Sequence, residues 1–188
     1  LVLASTSHVY SVHPRYIPTD ENPPRWLEAT YTASKILGEA LCQLFFNNHG
    51  LSYVALRIFN SFGPGQQRGY FIPDMIGKAQ DNGRIDLKGG RSTKDFVFIE
   101  DVARAIQLAT RTPYVGVINI GSGKETSLED VANHIAHKMN VPITCESTEV
   151  SRMCCDRGRA KRILGWEPNV SMEKGLDETI GSWQHSGR

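Results

Sequence analysis

The chain opens on Leu1-Val2-Leu3-Ala4, an apolar run without alternation that closes on the hydroxyl cluster Ser5-Thr6-Ser7. A stretch that short and that uniformly apolar keeps no polar face for water, so it reads as a buried strand of a parallel sheet. Across residues 29–48 the apolar positions Ile36, Leu37, Ala40, Leu41, Leu44 and Phe45 recur at helical spacing, and Gly50 supplies a stop. Residues 52–58, with Tyr53, Val54 and Ile58, read as a second strand that carries Phe59 and Asn60 to its end. Strands alternating with helices give an α/β fold, and side chains at the carboxyl ends of such strands line its ligand crevice.

The remaining pattern agrees. Helices are predicted over 71–81, 100–110, 128–139, 157–164 and 172–184, and strands over 85–87, 96–99 and 115–120. Ser127 is a candidate N-cap, with Glu129 and Asp130 in the first turn behind it. Residues 11–28, with Pro14, Pro18, Pro23 and Pro24, read as a long loop, and residues 185–188 as a frayed end. The glycine-rich stretch from Gly63 to Gly69 lacks the Gly-Lys-Ser/Thr ending of a phosphate loop and reads as a turn-rich lip of the crevice. Gly121-Ser122-Gly123 lies between strand and helix as a dinucleotide fingerprint would, but Thr126 stands where the third glycine belongs.

With 188 residues, 40% hydrophobic and 22% charged, the chain has the composition of an ordinary globular protein. A formal net charge of +1 with scattered basic residues offers no field for nucleic acid or a membrane surface. There is no membrane-length apolar run and no signal-like segment, so a cytoplasmic setting is the default expectation. Cys42, Cys145, Cys154 and Cys155 lack the spacing of a zinc site and are expected as reduced thiols, although the adjacent Cys154 and Cys155 could form a redox pair. His134 and His137 fall three apart on a helix without an evident third ligand, so a solvated face is preferred to a metal.

Tyr31-Thr32-Ala33-Ser34-Lys35 concentrates the chemistry. On a helix, positions four apart stack on one face, so the ammonium sits beside the phenol and favours the phenolate. Tyr31 is then a candidate general acid or base, against the alternative of a half-buried Tyr next to a solvated Lys.

Three segments in order, residues 4–10, Tyr31 to Lys35, and Leu56-Arg57-Ile58-Phe59-Asn60-Ser61-Phe62-Gly63-Pro64, resemble the extended short-chain dehydrogenase/reductases, the NAD-dependent nucleotide-sugar epimerases and dehydratases. Residues 94–103, Asn119-Ile120-Gly121-Ser122-Gly123 and Leu164-Gly165-Trp166-Glu167-Pro168 match them too. The resemblance implies the C-terminal portion of a Rossmann-type parallel sheet plus a small α/β substrate-binding lobe, residues 1–125 being a partial Rossmann catalytic domain with segments crossing into the lobe and 126–188 mainly the lobe. The family's Gly-rich strand–turn–helix for the dinucleotide pyrophosphate is not found in these residues. The expectation is therefore a truncated chain, or one whose missing sheet comes from a partner, with weak or absent NAD binding and activity on its own.

Carried over by resemblance, Tyr31 would take a sugar hydroxyl proton, Lys35 would bind the nicotinamide ribose, and Thr6 would share a hydrogen bond with the substrate oxygen. The alternative for Thr6 is a strand-end residue that satisfies backbone groups, and the flanking motifs favour the catalytic role over it. Phe59 corresponds to a residue closing on the nicotinamide, Asn60 to one contacting the sugar-linked diphosphate, and Leu87 to one whose backbone meets the base. Lys94 stands where the family has an Arg for the phosphate, which loses the bidentate fork. Arg152 and Asp156 resemble a distal pair binding diphosphate and ribose, although Asp156 suits an N-cap as well. Ser11 replaces a Gly after Val9-Tyr10.

Ser7 and His8 narrow the reaction, since the family's dehydratases place Asp and Glu there and its decarboxylases commonly keep the Glu. The expectation is an NAD-dependent nucleotide-diphosphate-sugar epimerase working through a transient ketone, with His8 either an acid or a pocket wall and a homo-oligomer as partner state. A non-enzymatic binding or assembly module and an NAD(P)-linked sugar reductase stay open as alternatives.

Overall fold

The computed structural model describes residues 1–10, 16–23, 25, 27, 29–146 and 151–186. Ser11 and much of the Pro-rich stretch around it lie outside the described residues. In chain order the elements are β1 (Val2–Thr6), α1 (Thr30–His49), β2 (Val54–Ile58), β3 (Asn60–Phe62), α2 (Phe71–Asn82), β4 (Ile85–Lys88), β5 (Thr93–Lys94), β6 (Phe96–Phe98), α3 (Ile99–Ala109), β7 (Gly116–Ile120), β8 (Thr126–Ser127), α4 (Leu128–Met139), β9 (Ile143–Glu146), α5 (Gly158–Leu164) and α6 (Met172–Ser186). The alternation read from the sequence is therefore the observed α/β fold. The short strands β3, β5, β8 and β9 were invisible to periodicity, being two to four residues long.

Strands β1, β2 and β7 form a parallel sheet in that order. Its register aligns Ser5 with Arg57 and Arg57 with Asn119, then Thr6 with Ile58 and Ile58 with Ile120. β3–β6 and β4–β9 are further parallel pairs, while β5–β8 is antiparallel. The α1 helix ends where Gly50 adopts φ 68, donating its N–H to Phe46 O at 2.9 Å. The Ser127 hydroxyl accepts from Asp130 N at 2.9 Å, the N-cap that its position predicts.

Two large apolar cores result. One packs Leu56, Val97, Val102, Ala105, Ile118, Ile120 and Trp166 between the sheet and α3 and α5. The Leu164-Gly165-Trp166 segment acts structurally here: Gly165 terminates α5 at φ 61, and buried Trp166 donates Nε1–H to Asp101 O at 2.9 Å. The Asp101 carboxylate in turn accepts from Asn169 N and Val170 N at 3.0 Å each.

The other core gathers Phe62, Ile72, Ile76, Ile85, Leu87, Phe96 and Phe98 with Val131, Ile135, Leu176 and Ile180. It joins residues from both sides of position 125, so the chain crosses between cores rather than dividing into consecutive halves.

Helix α1 is oriented against its composition. Leu37, Leu41, Leu44 and Phe45 are exposed, whereas Thr32, Glu39 and Cys42 face inward. A charged residue turned toward a sheet needs a partner, and that partner is Arg57.

Candidate active site

The carboxyl ends of β1 and β2 and the start of α1 border a cleft of about 530 Å³ lined by Thr6, His8, Tyr31, Lys35, Phe59, Asn60, Gln66 and Tyr70 among others. Thr6 ends β1 and caps a 3-10 turn, Ser7–Val9, by accepting from His8 N at 3.2 Å. Its own O–H makes no hydrogen bond among the described residues. The Thr6 oxygen therefore serves the backbone at the strand end while its proton stays available.

Tyr31 and Lys35 lie one turn apart on α1, as their spacing requires. Lys35 Nζ sits 5.6 Å from the centroid of the Tyr31 ring and donates to Ala4 O at 3.0 Å, tying the helix to β1 two residues before Thr6. Tyr31 is 54% exposed and meets the His8 ring edge-on, with centroids 6.5 Å apart. Six predicted site residues, Thr6, His8, Tyr31, Lys35, Phe59 and Asn60, thus share one wall system. Asn60 donates from Nδ2 to Asp95 O at 3.1 Å.

The other five are elsewhere. Ser7 is buried beneath the turn and lines no part of this cleft, so a direct side-chain contact with ligand is not available to it here. The Leu87 side chain is in the second core, leaving only its backbone in β4 for a ligand. Lys94, in β5, is half-buried, and burial pushes its pKa below the usual lysine value; no anionic partner meets it among the described residues. Arg152 is held by Glu125 through Nε to Oε2 at 2.9 Å and Nη2 to Oε1 at 2.6 Å, which raises the guanidinium pKa. Asp156 Oδ1 accepts from Gly158 N at 2.7 Å at the head of α5, close to the N-cap alternative, although the N-cap residue is Arg157.

Local sequence spacing does not reveal the buried polar row behind this wall. Ser5 Oγ donates to Glu39 Oε1 at 2.6 Å, Arg57 Nε and Nη2 donate to Glu39 at 2.9 and 2.7 Å, and Arg57 Nη1 donates to Tyr10 OH at 2.9 Å. Tyr10 OH continues to Asn119 Oδ1 at 2.7 Å, and Asn119 N donates to Glu21 Oε1 at 2.9 Å. Burial opposes ionisation of Glu39, but Arg57, Ser5 and Arg25 outweigh it and its pKa is lowered. Burial lifts Tyr10 to about 12 despite Arg57, so this phenol stays protonated. The signal was present: Arg57 is a charge inside the otherwise apolar strand Val54–Ile58.

Asp95 forms a second buried polar centre. Fully buried, its carboxylate accepts from Ser122 N, Ser122 Oγ, Gly123 N and Cys155 N at 2.6 to 2.9 Å. Burial raises its pKa to about 6, with those donors pulling the other way. The Gly121-Ser122-Gly123 turn is therefore an anion nest filled by the protein's own side chain.

All four cysteines are free thiols, and burial lifts Cys154 to about 12 and Cys155 well above the usual thiol value, which makes both poor nucleophiles. His134 pairs with Asp177 Oδ1 at 2.7 Å, and no cluster of three metal-ligating side chains occurs among the described residues. No helix among the described residues is long and apolar enough to cross a membrane.

Comparison with known proteins gives concordant matches. The profile described as NAD dependent epimerase/dehydratase family matches residues 1–121. The chain is 29% identical over 200 residues to a putative UDP-glucose 4-epimerase of Methanocaldococcus jannaschii, covering 100% of this chain and 64% of that protein. It is 30% identical over 198 residues to UDP-glucuronic acid decarboxylase 1 of Xenopus tropicalis, covering 96% of this chain and 46% of that one. Among solved structures, the UDP-glucose 4-epimerase of Thermotoga maritima with UDP-glucose aligns at TM-score 0.91 and 26% identity, over 100% of this chain and 64% of that chain. The UDP-N-acetylglucosamine 4-epimerase of Methanobrevibacter ruminantium with UDP-N-acetylmuramic acid aligns at TM-score 0.91 and 25% identity, over 98% and 63%. The chain thus spans between 46% and 64% of the lengths of these relatives.

Proposed function

The chain belongs to the NAD dependent epimerase/dehydratase family, and from that premise we propose that its cleft epimerises the sugar of a nucleotide diphosphate sugar through a transient ketone. The observation that carries the reading is the meeting of Thr6, Tyr31 and Lys35 at one crevice, with Lys35 anchored to the β1 backbone. Tyr31 takes the proton of the sugar hydroxyl as the carbon is oxidised and returns it on reduction. Thr6 donates its free O–H to the same oxygen, and Lys35 sets the charge beside the phenol.

The residues present fit one end of NAD. Lys35 Nζ donates to Ala4 O and has further N–H groups for ribose hydroxyls, while Phe59 offers an apolar wall beside it. When bound, NAD would accept the hydride from the sugar carbon and give it back. The pyrophosphate is not served in the same way, because the Ser122 and Gly123 amides of the glycine-rich turn are committed to Asp95. Weak NAD binding by these residues alone is the corresponding expectation, with a Gly-rich segment required for full turnover.

Asn60, Lys94, Arg152 and Asp156, with the Leu87 backbone, are assigned to the nucleotide diphosphate. Lys94 supports this as a half-buried cation lacking an anionic partner, and Arg152 would exchange Glu125 for phosphate. The second core, with residues from both sides of position 125, is assigned as the substrate lobe. The exposed apolar stripe of α1 is assigned to a second copy or a further part of the sheet.

Epimerisation is favoured over dehydration or decarboxylation because Ser7 and His8 bring no carboxylate to the turn after Thr6. The test is turnover of UDP-glucose with NAD, by the chain complemented with a Gly-rich nucleotide-binding segment, in deuterium oxide, followed by proton NMR. The expected product is an epimer that keeps its carbon-bound hydrogen at the inverted carbon. Deuterium at that carbon would mean proton abstraction from carbon instead, and the proposal would fall.

A further inference from the structure

Separate segments of the chain meet at Asp95. Each oxygen of its buried carboxylate takes a pair of donors, Oδ1 from the Ser122 amide and hydroxyl and Oδ2 from the Gly123 and Cys155 amides. Its backbone oxygen accepts from Asn60 N and Asn60 Nδ2 at 3.1 Å each. The packing leaves no slack, since a Cβ at Gly121 would lie 2.6 Å from Cys155 Cβ and 3.1 Å from both carboxylate oxygens.

The residues assigned to the nucleotide diphosphate are arranged around this one side chain. Lys94 is its chain neighbour, Asn60 is tied to its carbonyl, and Cys155 lies in the segment that carries Arg152 and Asp156. That segment has no helix of its own. Ser151 O accepts from Thr93 N at 2.8 Å at its start, and further on it is fixed by Asp95 Oδ2 and by backbone pairing of Cys155 with Thr19. Ligand groups drawn from such distant positions keep their spacing only through a rigid common support.

We propose that Asp95 is a positioning residue for the nucleotide diphosphate: its ionised carboxylate, through the Ser122, Gly123 and Cys155 amides, holds the Arg152–Asp156 segment in place against Asn60 and Lys94. The inference rests on the nucleotide reading of those four residues. An ionised carboxylate binds backbone amides more strongly than a neutral acid does. Burial raises the Asp95 pKa from 3.8 to about 6 against the pull of its donors, so the hold loosens just below neutral pH. The folded chain takes up this proton more readily than the unfolded chain, so the stability owed to this group rises as pH falls through about 6. Acid therefore weakens the ligand site here without unfolding the chain. The other titratable and charged groups around Asp95 are Lys94, the Cys154 and Cys155 thiols, and Arg157, whose stem covers Gly123. Burial raises both thiols, which stay protonated over this interval.

The test is calorimetric titration of UDP-glucose into the unsubstituted chain, Asp95→Asn and Ser122→Ala from about pH 5 to about pH 8, with thermal unfolding alongside. UDP-glucose is the probe because its diphosphate, esterified at both ends, does not titrate in this interval. A contribution from His8, which lines the cleft, is common to all three chains and cancels in the comparison. The unsubstituted chain is expected to lose about tenfold in affinity as pH falls through the Asp95 pKa while remaining folded. Asp95→Asn sets an N–H group against one pair of donors and has no proton to take up. It is expected to bind about tenfold more weakly at neutral pH and to lack that acid-side loss. Ser122→Ala removes one donor to the carboxylate, so the midpoint of the loss moves to higher pH. Unsubstituted affinity in Asp95→Asn, whatever its Tm, overturns the inference, as do parallel pH profiles in those two chains. Should Asp95→Asn not fold, an unmoved midpoint in Ser122→Ala overturns it. Binding with a flat profile in the unsubstituted chain overturns the inference alone, and no binding of UDP-glucose at any pH overturns the nucleotide reading with it.

Discussion

Replacing Tyr31 by Phe is expected to lower turnover of a nucleotide sugar by about 10²–10⁴-fold, the usual worth of a positioned acid–base group, while leaving substrate affinity nearly unchanged. The comparison belongs in whichever form of the protein turns over, this chain alone or complemented by a Gly-rich nucleotide-binding segment. The substitution is clean because the Tyr31 hydroxyl makes no hydrogen bond among the described residues, and the ring is half exposed. The aromatic contact with His8 and the approach of Lys35 survive in Phe. A fully active Tyr31→Phe protein would remove Tyr31 as the acid–base group. A loss confined to KM would make it a binding residue instead.

The second large effect concerns stability. Glu39 and Arg57 are 3% and 4% exposed and share two hydrogen bonds, so Glu39→Ala leaves a guanidinium buried without its counter-charge. Breaking such a pair from one side costs about 3–5 kcal/mol, read as a fall in the urea midpoint near neutral pH. Replacing both partners, as Glu39→Leu with Arg57→Met, is expected to recover part of that loss.

The pair also sets a pH dependence. The folded pKa of Glu39 lies below its ordinary 4.5, so its contribution is present above that value and lost as pH falls through the folded pKa. Acid destabilisation is therefore expected to be shallower in Glu39→Ala than in the unsubstituted chain over that interval. Identical acid profiles would show that Glu39 is not held ionised by Arg57.

Local spacing carried much of the site. Tyr31 and Lys35 are fixed to one helix face by their separation, and Thr6 is fixed to a strand end by the apolar run before it. Long-range pairing was less accessible. Ser5, Arg57 and Asn119 are far apart in sequence, and only the register of three parallel strands places them in one row. Periodicity identified α1 but not its orientation, because its Leu and Phe positions face outward while the inward face is polar.

The central claim is that a sugar occupies the crevice between the Tyr31 helix and the end of β1. The most direct measurement is a titration of UDP-glucose into the chain followed by amide proton–nitrogen NMR. Shifts clustered at Thr6, His8, Tyr31 and Asn60 for the sugar, with further shifts at Leu87, Lys94, Arg152 and Asp156 for the nucleotide diphosphate, are predicted. Shifts confined to the neighbouring cavity beside Lys124, Arg157 and Glu173, or none at saturating ligand, would contradict the account.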